Sequence, residues 1–264
     1  MKTRTHRLTH RTARASLGIT ALLLCGAAEA AASDWQWSIT PYAWATDVGV
    51  DVTLDDRKVL DKTIEFEDLL EDLDTAAQVH IEAQRGAHGV MFDLFDVQLS
   101  EDESRFPLPA AGGAEAVLSS EIGMTILELG GIYDPRGDQQ GFELLYGTRI
   151  LDQRAEIHAR FELPAGTVSQ RYEPGETLYD GLLGVRYIGH FSQRWSYLMR
   201  ADVSAGGTEL TWNGAAALAY AFGDSGRYSL TVGYRQMVVD FESDDSIGTE
   251  MTLSGFAAGL RVAF

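Results

Sequence analysis

Few side chains in this 264-residue chain stand at spacings that could do chemistry. His190, Phe191 and Ser192 set a base two residues from a hydroxyl, and Asp202 is the acid that would orient such a base for attack on an ester carbonyl. That chemistry needs the three groups to converge. The predicted strands put His190 in a turn and Asp202 far along the next strand, roughly 25 Å away at about 3.3 Å per residue. A polar turn is therefore the expected role of His190 and Ser192. His80 and His88 have no partner at metal-ligand spacing, and no His-Glu-x-x-His element occurs. The acidic stretches Glu65–Asp68, Glu101–Glu103 and Asp240–Asp245 offer carboxylate oxygens, but no calcium-loop pattern arranges them, so solvated loops are their expected setting. Gly130-Gly131 lies inside an alternating run, and no Gly-x-x-x-x-Gly-Lys phosphate cradle is present. No catalytic residue, metal ligand or cofactor is expected.

The elements that would hold these groups follow from composition and pattern. A formal net charge of −18 argues against covering nucleic acid phosphates, so no nucleic acid partner is expected. The single cysteine, Cys25, excludes a disulfide framework. It follows Leu24, where a lipid-attachment motif wants a small residue. Lys2, Arg4, Arg7, Arg11 and Arg14 precede an apolar stretch from Ala15 to Ala28, and Ala28-Glu29-Ala30 offers a small-x-small cleavage site. Residues 1–30 therefore read as a secretory leader, with residues 31–264 as a single domain. Removing the leader takes five basic residues and one acid, which leaves a net charge of −22 and two lysines, Lys58 and Lys62.

The remaining chain alternates with period two in runs of 10 to 16 residues separated by turn residues. In the last run Phe256, Ala258, Leu260, Val262 and Phe264 share one face, against Gly255, Ala257, Gly259, Arg261 and Ala263. Leu218, Tyr220 and Phe222 oppose Ala217, Ala219 and Ala221 in the same way. The leader, the aromatic residues at strand ends (Trp35, Trp37, Trp195, Trp212, Phe222, Tyr228, Phe264) and the alternating end at Leu260, Val262 and Phe264 favour an all-β transmembrane up-and-down barrel over a soluble sandwich. Alternating short and long connections predict ten strands, near 34–46, 75–85, 89–100, 115–133, 141–161, 177–189, 194–205, 209–222, 227–241 and 250–264. Residues 47–74 read as an outer-loop insertion with a short acidic helix, because Phe66, Leu69, Leu70 and Leu73 have helical spacing. If 48–60 instead adds barrel strands, the count becomes twelve; eight is the lower alternative. Bulges are expected at Glu128 and near Asp96.

With polar faces turned inward, the lumen is expected to hold Arg149, Arg186, Arg200, Arg235 and Arg261, together with His80, Glu82, Asp93, Glu121, Glu143, Asp180 and Asp202. Charges buried in a narrow barrel must pair, so a network that fills the lumen is expected over a proton path, selectivity filter or active site.

Trp37-Ser38-Ile39-Thr40-Pro41-Tyr42-Ala43-Trp44, the acidic run Asp68 to Asp74, Gly184-Val185-Arg186-Tyr187, Arg194-Trp195-Ser196, Gly233-Tyr234-Arg235 and the final strand together resemble a family of mostly uncharacterised proteobacterial outer-membrane β-barrel proteins. The resemblance implies eight to twelve strands in the outer membrane, and no reaction. It also implies export through the periplasm and, as partners, outer-membrane lipid and lipopolysaccharide, periplasmic chaperones and the barrel-assembly machinery. His190-Phe191-Ser192 separately resembles the His-x-Ser element of outer-membrane lipid A deacylases and phospholipases, although Gln193 stands where those enzymes usually carry Asn. The expected role is structural or surface interaction. A narrow channel for small solutes or cations is the alternative, and a lipid hydrolase a more distant one.

Overall fold

The computed structural model describes residues 35–54, 57–108, 114–163, 166–173, 175–223, 226–241 and 247–264. The expected leader and part of the acidic stretch after Asp240 lie outside these residues. The elements are β1 (Gln36–Leu54), β2 (Arg57–Ile64), α1 (Phe66–Glu71), β3 (Leu73–Arg85), β4 (His88–Leu108), β5 (Ala114–Tyr133), β6 (Gly141–Leu163), β7 (Gly166–Tyr172), β8 (Gly175–His190), β9 (Trp195–Gly206), β10 (Leu210–Phe222), β11 (Tyr228–Phe241) and β12 (Ile247–Ala263). Ten of the strands form a closed antiparallel ring: β1, β3, β4, β5, β6, β8, β9, β10, β11 and β12, with β12 returning to β1.

The two remaining strands stay outside the ring. β1 runs past the expected end at residue 46 to Leu54, and β2 folds back on its far half. β7 pairs only with the far end of β6. Residues 48–60 are thus largely strand, yet the ring keeps ten members. α1 is a single short helix, and the Phe66 N–H donates to Asp47 Oδ1 at 2.8 Å, tying it to β1.

Alternation produces the outer face directly. Met199, Val203, Leu218, Leu230, Val232, Leu183 and Val185 point outward and are exposed. At the short-turn end they give way to rings that meet across strands: Phe142 with Tyr187, Trp195 with Tyr220, and Phe222 with Tyr228. Trp37 and Phe264 exchange two backbone hydrogen bonds of 3.0 Å at this level, completing the girdle. Tyr179 and Trp212 stand eight residues from Tyr187 and Tyr220, about 26 Å along the strands before tilt. That is the apolar band of a transmembrane barrel. Beyond it, β4, β5 and β6 project much further than β9 and β10, so the rim at the long-connection end is uneven.

At Gly255, β12 leaves no room for a side chain against β1. A Cβ built on Gly255 would lie 1.8 Å from the Ala45 carbonyl oxygen. Gly255→Val is expected to cost at least about 3 kcal/mol, because backbone rather than a mobile side chain must yield. Loss of the heat-modifiable folded band on a gel is the readout.

A second test concerns the rim. Cross-strand register puts Glu250 beside Asp240 and Asp51, two residues beyond the row of Trp212, Val238 and Thr252. Partial burial and the neighbouring Asp240 raise the Glu250 carboxyl above its ordinary value. A carboxyl raised in the folded state favours folding only while protonated, and that contribution is lost as pH rises. Glu250→Gln is therefore expected to raise the urea midpoint at pH 7, with the gain vanishing near about pH 4.

Candidate functional site

The lumen is filled in layers. Toward the long-connection end, Trp44, Phe95, Ile126, Leu151, Met237, Val239, Met251 and Leu253 form a buried apolar plug. These residues come from the inward face of six strands, where alternation leaves apolar side chains on both faces.

Next to the plug lies a continuous ionic layer. Arg149 Nη2 is 2.7 Å from Glu128 Oε1 and 2.5 Å from Asp202 Oδ1, and its Nη1 donates to Ser204 Oγ at 2.9 Å. Arg200 bridges the same two carboxylates, at 2.7 Å each. Asn213 donates to Asp202 Oδ2 at 2.7 Å and accepts from Arg235 Nε at 2.8 Å. Arg235 also approaches Glu128 and Asp93, at 3.4 and 3.7 Å, while its guanidinium lies over the Trp44 ring at 4.7 Å. Tyr42 donates its hydroxyl to Asp93 at 2.9 Å.

The layer continues through His80. Its Nδ1 faces Asp93 Oδ2 at 2.9 Å and its Nε2 faces Glu82 Oε1 at 2.8 Å. Ionised carboxylates only accept, so both bonds are satisfied by the doubly protonated ring. Arg186 then joins Glu82 to Glu143, reaching Glu143 Oε2 at 2.6 Å. Glu128, Glu143 and Arg149 are 0%, 1% and 2% exposed. Three of the pairs are direct cross-strand neighbours: His80 with Asp93, Glu128 with Arg149, and Glu143 with Arg186. A register slip of one residue on any of these strands would separate charges from partners inside the lumen.

One expected lumen charge lies outside, and two others face inward without joining the ion pairs. Glu121 is exposed and borders an outward cleft with Asp96, Asp152 and Glu156; it is odd-numbered on β5, whereas Met124, Ile126 and Glu128 face inward. Glu128 is thus the inward carboxylate of β5, and pairing runs through it and Asp96 without a bulge. The irregularities fall at Val52/Thr53, Leu73/Thr75 and Glu101/Ser104. Asp180 is buried but makes no ion pair among the described residues. It accepts from Ser204 Oγ, Thr208 Oγ1 and the N–H groups of Gly207 and Thr208. Arg261 lines the lumen outside the network.

His190, Ser192 and Asp202 do not converge. Register pairs His190 with Ser196, six residues from Asp202 along β9, about 20 Å at 3.3 Å per residue. Ser192 Oγ accepts from the N–H groups of Arg194 and Trp195 and so closes its own turn.

The lumen opens at the short-turn end into a vestibule of about 440 Å³. Ala215, Ala217, Ala219, Gly233, Ala257 and Gly259 line one wall. His80, Glu82, Gln84 and Arg186 line the opposite wall, with Arg200 and Arg235 at its inner end.

No protein-family model matches the chain, and a search of curated proteins gives no match. Several solved structures are similar at low identity. One is Ail, the attachment invasion locus protein of Yersinia pestis, in complex with the heparin analogue sucrose octasulfate: 12% identity over 87% of this chain and 99% of that one, TM-score 0.33. The outer membrane protease OmpT from Escherichia coli is 12% identical over 88% and 97%, TM-score 0.43. Neisserial surface protein A is 10% identical over 88% and 98%, TM-score 0.26. At this identity the likeness carries no activity to this chain.

The network makes a graded prediction. Arg149→Met removes a buried cation that Glu128 and Asp202 share with Arg200, leaves an excess negative charge in the layer, and is expected to cost about 3–5 kcal/mol in urea unfolding from bilayers. Arg235→Ala is expected to destabilise as well, whereas Arg261→Ala should change stability by no more than about 0.5 kcal/mol.

Proposed function

We propose that this chain is an integral outer-membrane β-barrel protein closed to through-flow, acting as a structural or surface-interaction component. The observation that carries this reading is the filled lumen: an apolar plug around Trp44 and Phe95 stacked on the buried Arg149–Glu128–Asp202 layer. The uneven rim of long strands at the plugged end supports a surface role, because that end carries the extended β4–β7 sheet and the β1–β2 hairpin. Export with loss of residues 1–30, passage by periplasmic chaperones to the barrel-assembly machinery, contact with lipopolysaccharide, and membership of the proteobacterial family resembled above belong to the same proposal. It assigns no reaction; the separation of His190 from Asp202 supports that part.

The alternative is a narrow channel, which the vestibule at the opposite end favours. Planar-bilayer recording separates the two. The folded protein, verified by gel shift on boiling, is expected to give no discrete current steps, while a variant with Trp44→Ala and Phe95→Ala gains leak. Stable steps from the unmodified barrel would overturn the closed reading.

A further inference from the structure

Arg261 is an inward cation that no carboxylate of the ionic layer pairs with. The ion-paired groups of the layer number five cations (Arg149, Arg186, Arg200, Arg235, His80) and five carboxylates (Glu82, Asp93, Glu128, Glu143, Asp202). Among the described residues no carboxylate lies within ion-pair distance of Arg261, which is only partly exposed inside the vestibule. The carboxylates that line the cavity are already engaged: Glu82 by Arg186 and His80, Asp93 by His80 and Tyr42, and Asp138 by Arg136. Hydroxyl residues share its stretch of the cavity wall. Ser229 is its direct partner across β11, Thr40 lies on the adjoining stretch of β1, and the buried Ser38 lines the same cavity. A guanidinium on the wall of a half-enclosed cavity, with no carboxylate beside it, is a ready counter-charge for an anion.

The cavity narrows the class of anion. Its volume is in the range of small-molecule sites. Glu82 and Asp93 border it, which disfavours a dianion. The alanine and glycine wall of β10–β12 presents methyl groups and bare backbone, which suit a flat apolar body.

We propose that the vestibule binds a small organic monoanion, a carboxylate with an apolar body, with Arg261 as its counter-charge and the Ala217–Ala219 wall as its apolar seat. The site lies on the open side of the plug, so this proposal holds whether or not the barrel conducts, and the bilayer recording bears on the plug alone.

The test is ¹⁹F NMR of 4-fluorobenzoate with the detergent-solubilised protein, folding verified by gel shift. Saturable broadening is expected, with neutral 4-fluorobenzyl alcohol binding at least about tenfold more weakly. Arg261→Gln is expected to weaken 4-fluorobenzoate about tenfold or more, and Arg261→Lys to retain most of the affinity. Ala219→Leu fills the apolar side without touching the charge and is expected to abolish binding. The proposal is overturned by non-saturable uptake matching empty micelles, by equal affinity for the neutral analogue, or by an unchanged Arg261→Gln variant. Because Arg261 holds no structural ion pair, its variants are expected to fold, and Ala219→Leu reports on the pocket independently.

Discussion

Return of β12 to β1 is the contact on which the rest of the molecule depends. A strand in hydrocarbon has no water to satisfy its N–H and C=O groups, so each edge must be paired. The long ladder from Ser38–Ala263 to Leu54–Ile247 removes the last two edges of the ring. It also imposes the close approach that only Gly255 accommodates at Ala45. Closure in turn creates a narrow lumen whose middle is filled by side chains. Its contents must therefore pack and pair as a protein interior does.

That interior meets two demands with separate materials. Apolar side chains fill the end toward the long connections, and ion pairs fill the middle. The ionic layer draws side chains from β3, β4, β5, β6, β8, β9, β10 and β11, with Tyr42 adding β1. Such pairs contribute little net stability over apolar packing, since desolvation offsets their attraction. Their physical consequence is specificity of register, because each pair is satisfied in one alignment of neighbouring strands. β12 contributes only Arg261 to the lumen charges and takes no part in that alignment. This difference is what frees Arg261 for a ligand.

Outside the apolar band the constraint on edges relaxes, and β2 and β7 end the sheet with an edge open to water. Charge blunts the β2 edge: Lys58 pairs with Asp51 and Asp61, and Arg57 and Lys62 flank it. On β7, Arg171 pairs with Glu156 of the neighbouring strand and with Glu173. The same sequence pattern of alternation therefore builds two different things. Within the band it builds a lipid-facing wall, and beyond it a hydrated sheet extension.

Much of this was legible in the sequence, because period-two alternation and turn composition act locally. The ten ring strands, the short turns at one end and the outward set Phe256, Leu260 and Val262 follow from that pattern alone. The helical spacing of Phe66, Leu69 and Leu70 likewise marked α1. What local pattern could not decide was parity where both faces look alike. On β5, Met124 and Ile126 face inward while Leu127 and Leu129 face outward, so contrast vanishes and Glu121 and Glu128 exchange roles. Only the register with Asp93 and Arg149 on the adjoining strands selects Glu128 for the lumen. Pairing identity is also tertiary. Arg149, Arg235 and Arg261 are alike in sequence as inward arginines on alternating strands, and which of them meets a carboxylate depends on strands distant in the chain. Composition decided that the lumen would be charged; closure of the ring decided which charge is left unmatched.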